Sequence, residues 1–220
     1  MSTDGLSFFG AFGDAVIRFP HPDPRYLRAM SYCLCDVRLQ ESTPEIVWVH
    51  SPASLLLPGS LFDDRQTEHL LRWHYPETTV DRVLTEDLQE GEVMAYAIPA
   101  ELDDFLQEQF PAAVVRHPDI PLLERLMQET ASRQSRAVHI HPQQDSCTLA
   151  WADCGKLEGY NRFPTATDDD LLYYTGAVLQ HLNATQAEVE ATLYENDRCL
   201  AQLQQRLPRL QFQSIPPCAL

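Results

Sequence analysis

The chain has 220 residues, 44% of them hydrophobic, and sets 16 basic side chains against 32 acidic ones for a net charge of -16. That length supports one large domain or two smaller ones with ordinary cores, and the charge repels phosphate backbones and anionic headgroups, so nucleic acid is not an expected partner. No run approaches the ~20 apolar residues of a membrane span, and no basic-then-apolar leader opens the sequence, so membrane insertion is not expected and a cytoplasmic location is.

In chain order, "TDGLSFFGAFGD" (3–14) is a polar turn, an apolar run and two glycines among phenylalanines, and "AVIRF" follows as a strand. "DPRYLRAMSYCLCD" reads as a helix, with Tyr26, Met30 and Leu34 on one face, and the apolar run in "EIVWV" reads as a strand covered on both faces. "RQTEHLLRWHY" is a predicted helix, and "VDRVLTEDL" and "EVMAYAIP" are predicted paired strands joined through Glu90 and Gly91. In "AELDDFLQEQF" Leu102, Phe105, Leu106 and Phe110 make one helix face between Pro99 and Pro111. A strand at "AVVRH" and a helix at "IPLLERLMQET" follow.

From residue 136 the pattern is clearest. "RAVHIHP", "SCTLAWAD" and "KLEGYNRF" form a meander with turns at "QQD" and "CG". A helix follows in "TDDDLLYYTGAVLQHLN", capped by Thr167 or Asp168, with Leu171, Tyr174, Val178 and Leu182 on its buried side. A strand in "ATLYEN", a helix in "DRCLAQLQQRL" with Leu200, Leu203 and Leu207 on one face, and a strand in "RLQFQSI" complete a β-β-β-α-β-α-β order. Three antiparallel strands followed by alternating helices and strands make a mixed sheet with helices on its faces. The first half reads as the same unit with additions, so the expected α/β architecture is two copies, at 1–135 and 136–220, without a linker rich in proline, glycine or serine.

Three stretches, "STDGLSF", "YAIPAELDDFLQEQFP" with "HPDIPLLERL", and "TDDDLLYYTGAVLQHL", resemble the uncharacterised bacterial family called domain of unknown function 3822. The resemblance covers most of the chain. It implies an actin-like (ASKHA) ATPase fold of two RNase H-like subdomains, distant similarity to pilus-assembly ATPase-like proteins, and no established activity. Such folds ordinarily have a strand leading into the first glycine turn, whereas this chain opens at the turn, so the first sheet is expected to have an incomplete partner.

Nucleotide chemistry in an actin-like fold needs two hairpins with aspartate and glycine near the turn, so that backbone N–H groups meet phosphates and the carboxylate positions magnesium. The first would be "TDGLSF", with Asp4 and Gly5 but with Leu6 and Phe8 in place of small residues; Asp-Gly is also the common signal of a plain turn. The second would lie in "SCTLAWADCGKLEG", where Asp153, Gly155 and Lys156, the chain's one lysine, are the suggestive group, against a simple Cys154-Gly155 turn. The adenosine glycines would fall where "ATLYEN" passes into "DRCLAQL", yet no glycine occurs from 177 to 220. Side chains there would crowd a base.

His139 and His141 share one face of a strand, a pair that could hold zinc or copper with a third ligand, against a reading as solvated strand histidines. Asp168, Asp169 and Asp170 are explained by capping and the helix dipole, with weak cation binding the alternative. Tyr173 and Tyr174 cannot share a helix face, so one is expected buried and the other exposed as an interface anchor. The cysteines (Cys33, Cys35, Cys147, Cys154, Cys199, Cys218) show no C-x-x-C spacing, and Cys33 and Cys35 read as small core residues. No catalytic, cofactor or metal residue is assigned. The expected function is a degenerate, non-enzymatic pseudo-ATPase that binds an unidentified protein partner; the alternatives are an ATP-binding member of the superfamily and a metal-dependent hydrolase using the histidine pair.

Overall fold

The computed structural model describes residues 4–8, 15–19, 46–88, 91–142, 146–182, 189–194, 197–208 and 210–215. The helix expected over 23–36, with Cys33 and Cys35, lies outside the described residues. The chain divides into two compact units, Met1–Ile120 and Pro121–Leu220.

In the first unit, β1 (Asp4–Phe8) pairs antiparallel with β2 (Ala15–Phe19) and with β3 (Ile46–Val49), and β3 pairs parallel with β7 (Val114–Arg116). The sheet order is β2-β1-β3-β7. Between β3 and β7 the chain builds a second sheet in the order β4-β6-β5, from β4 (Ser54–Pro58), β5 (Arg82–Asp87) and β6 (Glu92–Ile98). Helix α1 (Asp64–His74) starts where the Asp63 carboxylate accepts the Arg65 and Gln66 N–H groups, and it buries Leu71 with Ala53, Val80, Ala95 and Ala97. Strand β6 is central and buried almost throughout, as its apolar run requires. Helix α2 (Ala100–Gln109) follows Pro99, and its predicted apolar face is the observed one: Leu106 and Phe110 are buried, Leu102 and Phe105 half-buried.

The second unit takes up most of α3 (Asp119–Arg133), then β8 (Arg136–Pro142), β9 (Ser146–Asp153) and β10 (Lys156–Pro164), the expected meander. Helix α4 (Asp168–His181), β11 (Val189–Tyr194), α5 (Asp197–Arg206) and β12 (Gln211–Ile215) complete a sheet in the order β10-β9-β8-β11-β12. Thr167 and Asp170 form a reciprocal capping box at the start of α4. One face of the sheet carries the core: Val138, Ile140, Leu149 and Leu193 pack with Leu171, Val178 and Leu203 of the helices.

The two main sheets share a plan. β2, β1, β3 and β7 have the directions of β10, β9, β11 and β12, but in the second unit β8 stands between β9 and β11, antiparallel to one and parallel to the other. In the first unit β1 bonds directly to β3. Among the described residues it has no counterpart of β8.

Candidate functional site

This correspondence relocates the second hairpin. Asp4 and Gly5 open β1, and β1 is the counterpart of β9, so the equivalent of "TDG" is the connection from β8 into β9, where Asp145 and Ser146 stand. The Cys154-Gly155 step, where the sequence suggested a second phosphate turn, is the next turn along. Residues 143–145 lie outside the described residues. Pro142 pairs with Cys147, and none of the four residues between them in the sequence is glycine.

The suggestive group at 153–156 is used internally. Cys154 and Gly155 have φ of 50° and 91°, the pair of left-handed residues that a tight two-residue hairpin requires. The Cys154 N–H donates to the Ser135 carbonyl at 2.9 Å and the Gly155 N–H to Thr130 Oγ1 at 3.1 Å, so neither amide is left to meet an anion. A Cβ on Gly155 would stand 2.7 Å from that of Ala131, which fixes the turn against α3. Asp153 accepts from Arg136 Nε at 2.8 Å, and this guanidinium, with the Cys154 thiol, holds its carboxyl below the usual range. Lys156 pairs with Glu158 at 2.8 Å.

His139 is not a solvated strand histidine. It is 3% exposed, because α3 covers the face of the sheet opposite the apolar core, and burial pushes its pKa down. His139 Nε2 lies 3.8 Å from Glu129 Oε2, and the Arg125 Nε donates to the same carboxylate at 2.7 Å. The His139 imidazole and then the Arg125 guanidinium hold the Glu129 carboxyl down at about 2. His141 is half-buried. Among the described residues no group of three His, Cys, Asp or Glu side chains converges as metal ligands would. Asp170 is engaged by Thr167 in the helix cap, and Asp168 and Asp169 line an open cavity with Thr167, Leu172, Gln205 and Arg206. Tyr173 is 71% exposed, while Tyr174 is half-buried and stacks on Phe163 with ring centroids 4.3 Å apart.

A polar cluster of the first unit is not anticipated by the sequence. It gathers beyond the carboxyl ends of the parallel strands β3 and β7, the end at which open α/β sheets place ligands. Glu86 Oε1 accepts the His117 N–H at 2.6 Å and the Tyr96 hydroxyl at 3.1 Å, and Glu86 Oε2 accepts Arg116 Nε at 2.8 Å. Arg116 also lies over the Trp48 ring, 5.5 Å from its centroid. His117, fully buried, packs its ring 5.0 Å from that of Tyr96 and 5.7 Å from that of His50, and the buried Asp119 N–H donates to His117 Nδ1 at 3.2 Å. Burial, then the Glu86 charge, raises the Tyr96 pKa far above its usual range, so the phenol keeps its proton. With three donors on Glu86, from Tyr96, Arg116 and His117, the cluster anchors the β4-β6-β5 sheet to β7. The one sequence trace of it is a pair of matching strand ends, "WVHSP" and "VRHPD".

A family model described as "Protein of unknown function (DUF3822)" matches residues 45–206. The chain belongs to the DUF3822 family. A crystal structure from Bacteroides thetaiotaomicron, of a protein with an actin-like ATPase fold and unknown function, is 19% identical, covers 97% of this chain and 88% of its own, and superposes with a TM-score of 0.78. The PilM-PilN type IV pilus biogenesis complex is similar at 14% identity, over 96% of this chain and 84% of that one, with a TM-score of 0.51. No curated protein matches in sequence. The fold of this DUF3822 chain is the actin-like ATPase fold, as the sequence resemblance implied.

Proposed function

We propose that this chain is a non-enzymatic actin-fold protein, a degenerate pseudo-ATPase whose role is to bind a protein partner. The observation that carries this reading is the closure of the β8–β9 hairpin by the Pro142–Cys147 pair, with no glycine among the residues between. Successive amides turned toward a phosphate need left-handed backbone, which non-glycine residues adopt at a cost. The absence of glycine from 177 to 220 points the same way for the adenosine contact. Large apolar side chains stand in solvent, Trp73 at 75% exposure and Leu61 at 71%, as surfaces that meet other proteins do. The similar PilM fold, found in a complex with PilN, is in keeping with partnering.

A second reading, nucleotide binding, is favoured by Asp4 and Gly5 at the opening of β1, the Asp-Gly pair the second unit lacks at the corresponding place. Thermal denaturation separates the two. Binding at about 100 times Kd adds about 2.7 kcal/mol, a rise of about 5–10 °C for a chain of this size. No shift with millimolar magnesium-ATP is expected; a rise of that order would overturn the proposal.

A further inference from the structure

The face of the second sheet that α3 approaches carries a polar row across three strands. His141 of β8 pairs with Thr148 of β9, which pairs in turn with Arg162 of β10, so the three side chains project from the same face as direct cross-strand neighbours. Thr148 is 4% exposed, and its hydroxyl has no hydrogen-bond partner among the described residues. Arg162 is held by its Nε, which donates to Ser146 Oγ at 3.0 Å. Its Nη1 is buried and, among the described residues, it too has no acceptor. No carboxylate among the described residues pairs with this guanidinium, in a chain with twice as many acidic as basic side chains.

Arg162 is half-buried, but its Nη1 is shut away from solvent without an acceptor, and an N–H and a hydroxyl buried without partners are both unfavourable. Both costs fall together if one acceptor carrying negative charge sits between them. Both atoms are out of contact with solvent, so that acceptor is small. We propose that Arg162 Nη1 and Thr148 Oγ1 bind a monovalent anion of the size of chloride. The donors are side chains of two strands, not amides of a hairpin, and the site needs neither a nucleotide nor a metal.

The test is the melting temperature of the purified full chain in sodium chloride against sodium gluconate at equal ionic strength, for the wild type, Thr148→Val and Arg162→Gln. Chloride at about ten times its Kd is expected to raise the wild-type melting temperature by about 3–6 °C over gluconate. Thr148→Val, which keeps the shape and removes the unpaired hydroxyl, is expected to be at least as stable as wild type in gluconate and to lose most of the chloride response. Arg162→Gln is expected to lose all of it. Crystals grown in bromide are expected to show one anomalous peak between the two side chains. A wild-type melting temperature indifferent to chloride, an undiminished response in Thr148→Val, or a bromide-grown crystal with no peak there would overturn the proposal; in each case a neutral water fills the role.

Discussion

Glu86 Oε1 accepts the backbone N–H of His117 at 2.6 Å, joining the inserted sheet to the main sheet of the first unit through one carboxylate. That carboxylate also serves Tyr96 and Arg116, and its side chain is 13% exposed. Glu86→Ala leaves a buried N–H, a buried phenol and a guanidinium without their acceptor, and should cost about 2–4 kcal/mol. Glu86→Gln retains an acceptor and should cost less. Urea denaturation of the two variants checks the order.

Gly159 lies against the Trp151 ring: a Cβ there would stand 2.1 Å from Cζ2, at the position where the β9–β10 register shifts. The indole cannot yield without leaving the core on which it packs. Gly159→Ala should therefore destabilise by about 1–3 kcal/mol and alter the fluorescence of Trp151 in the native state.

The Glu129–His139 pair predicts a direction for acid sensitivity. The folded-state pKa of Glu129, about 2, lies below its ordinary 4.5, so its contribution is complete above pH 4.5 and is lost as pH falls toward 2. His139 is also lowered, by burial, so the unfolded chain takes up its proton first and acidification through the ordinary histidine range costs stability as well. Both act in the same sense. Glu129→Gln should flatten the stability profile between about pH 5 and pH 2, and a denaturant series across that range reads it directly; an unchanged acid limb would contradict the assignment.

Thr167 caps α4 by accepting the Asp170 N–H, and Asp170 returns the interaction to the Thr167 N–H at 2.8 Å. Thr167→Ala should cost about 1 kcal/mol and Thr167→Ser much less. Those backbone and hydroxyl donors of Thr167 hold the Asp170 carboxyl below the usual range, so the cap is intact at neutral pH and weakens in acid.

What the sequence made legible follows from what each signal measures. Periodicity locates α2 and α4 with the faces they bury, and alternation sets His139 and His141 on one face of "RAVHIHP", opposite the Val138 and Ile140 that the structure places in the core. The same alternation said nothing about the other face. His139 reads as a solvent residue until α3 is known to cover it, and that is a tertiary fact. Strand β4, "SLLLP", was missed because three consecutive leucines carry neither alternation nor β-branching, and only pairing with β6 makes a strand of them. Glu86 and His117 are 31 residues apart in sequence, so no local pattern joins them. The sequence points to 153–156 for the second hairpin because Asp153 and Gly155 imitate the expected residues, whereas the sheet order that makes β9 the counterpart of β1 is invisible in sequence.

Amide hydrogen exchange across the two corresponding hairpin starts, with and without millimolar magnesium-ATP, tests the central claim most directly. The account predicts that exchange at residues 4–8 and 143–148 is the same in both conditions. Protection of these amides by the nucleotide would contradict it and restore the chain to the ATP-binding members of its fold.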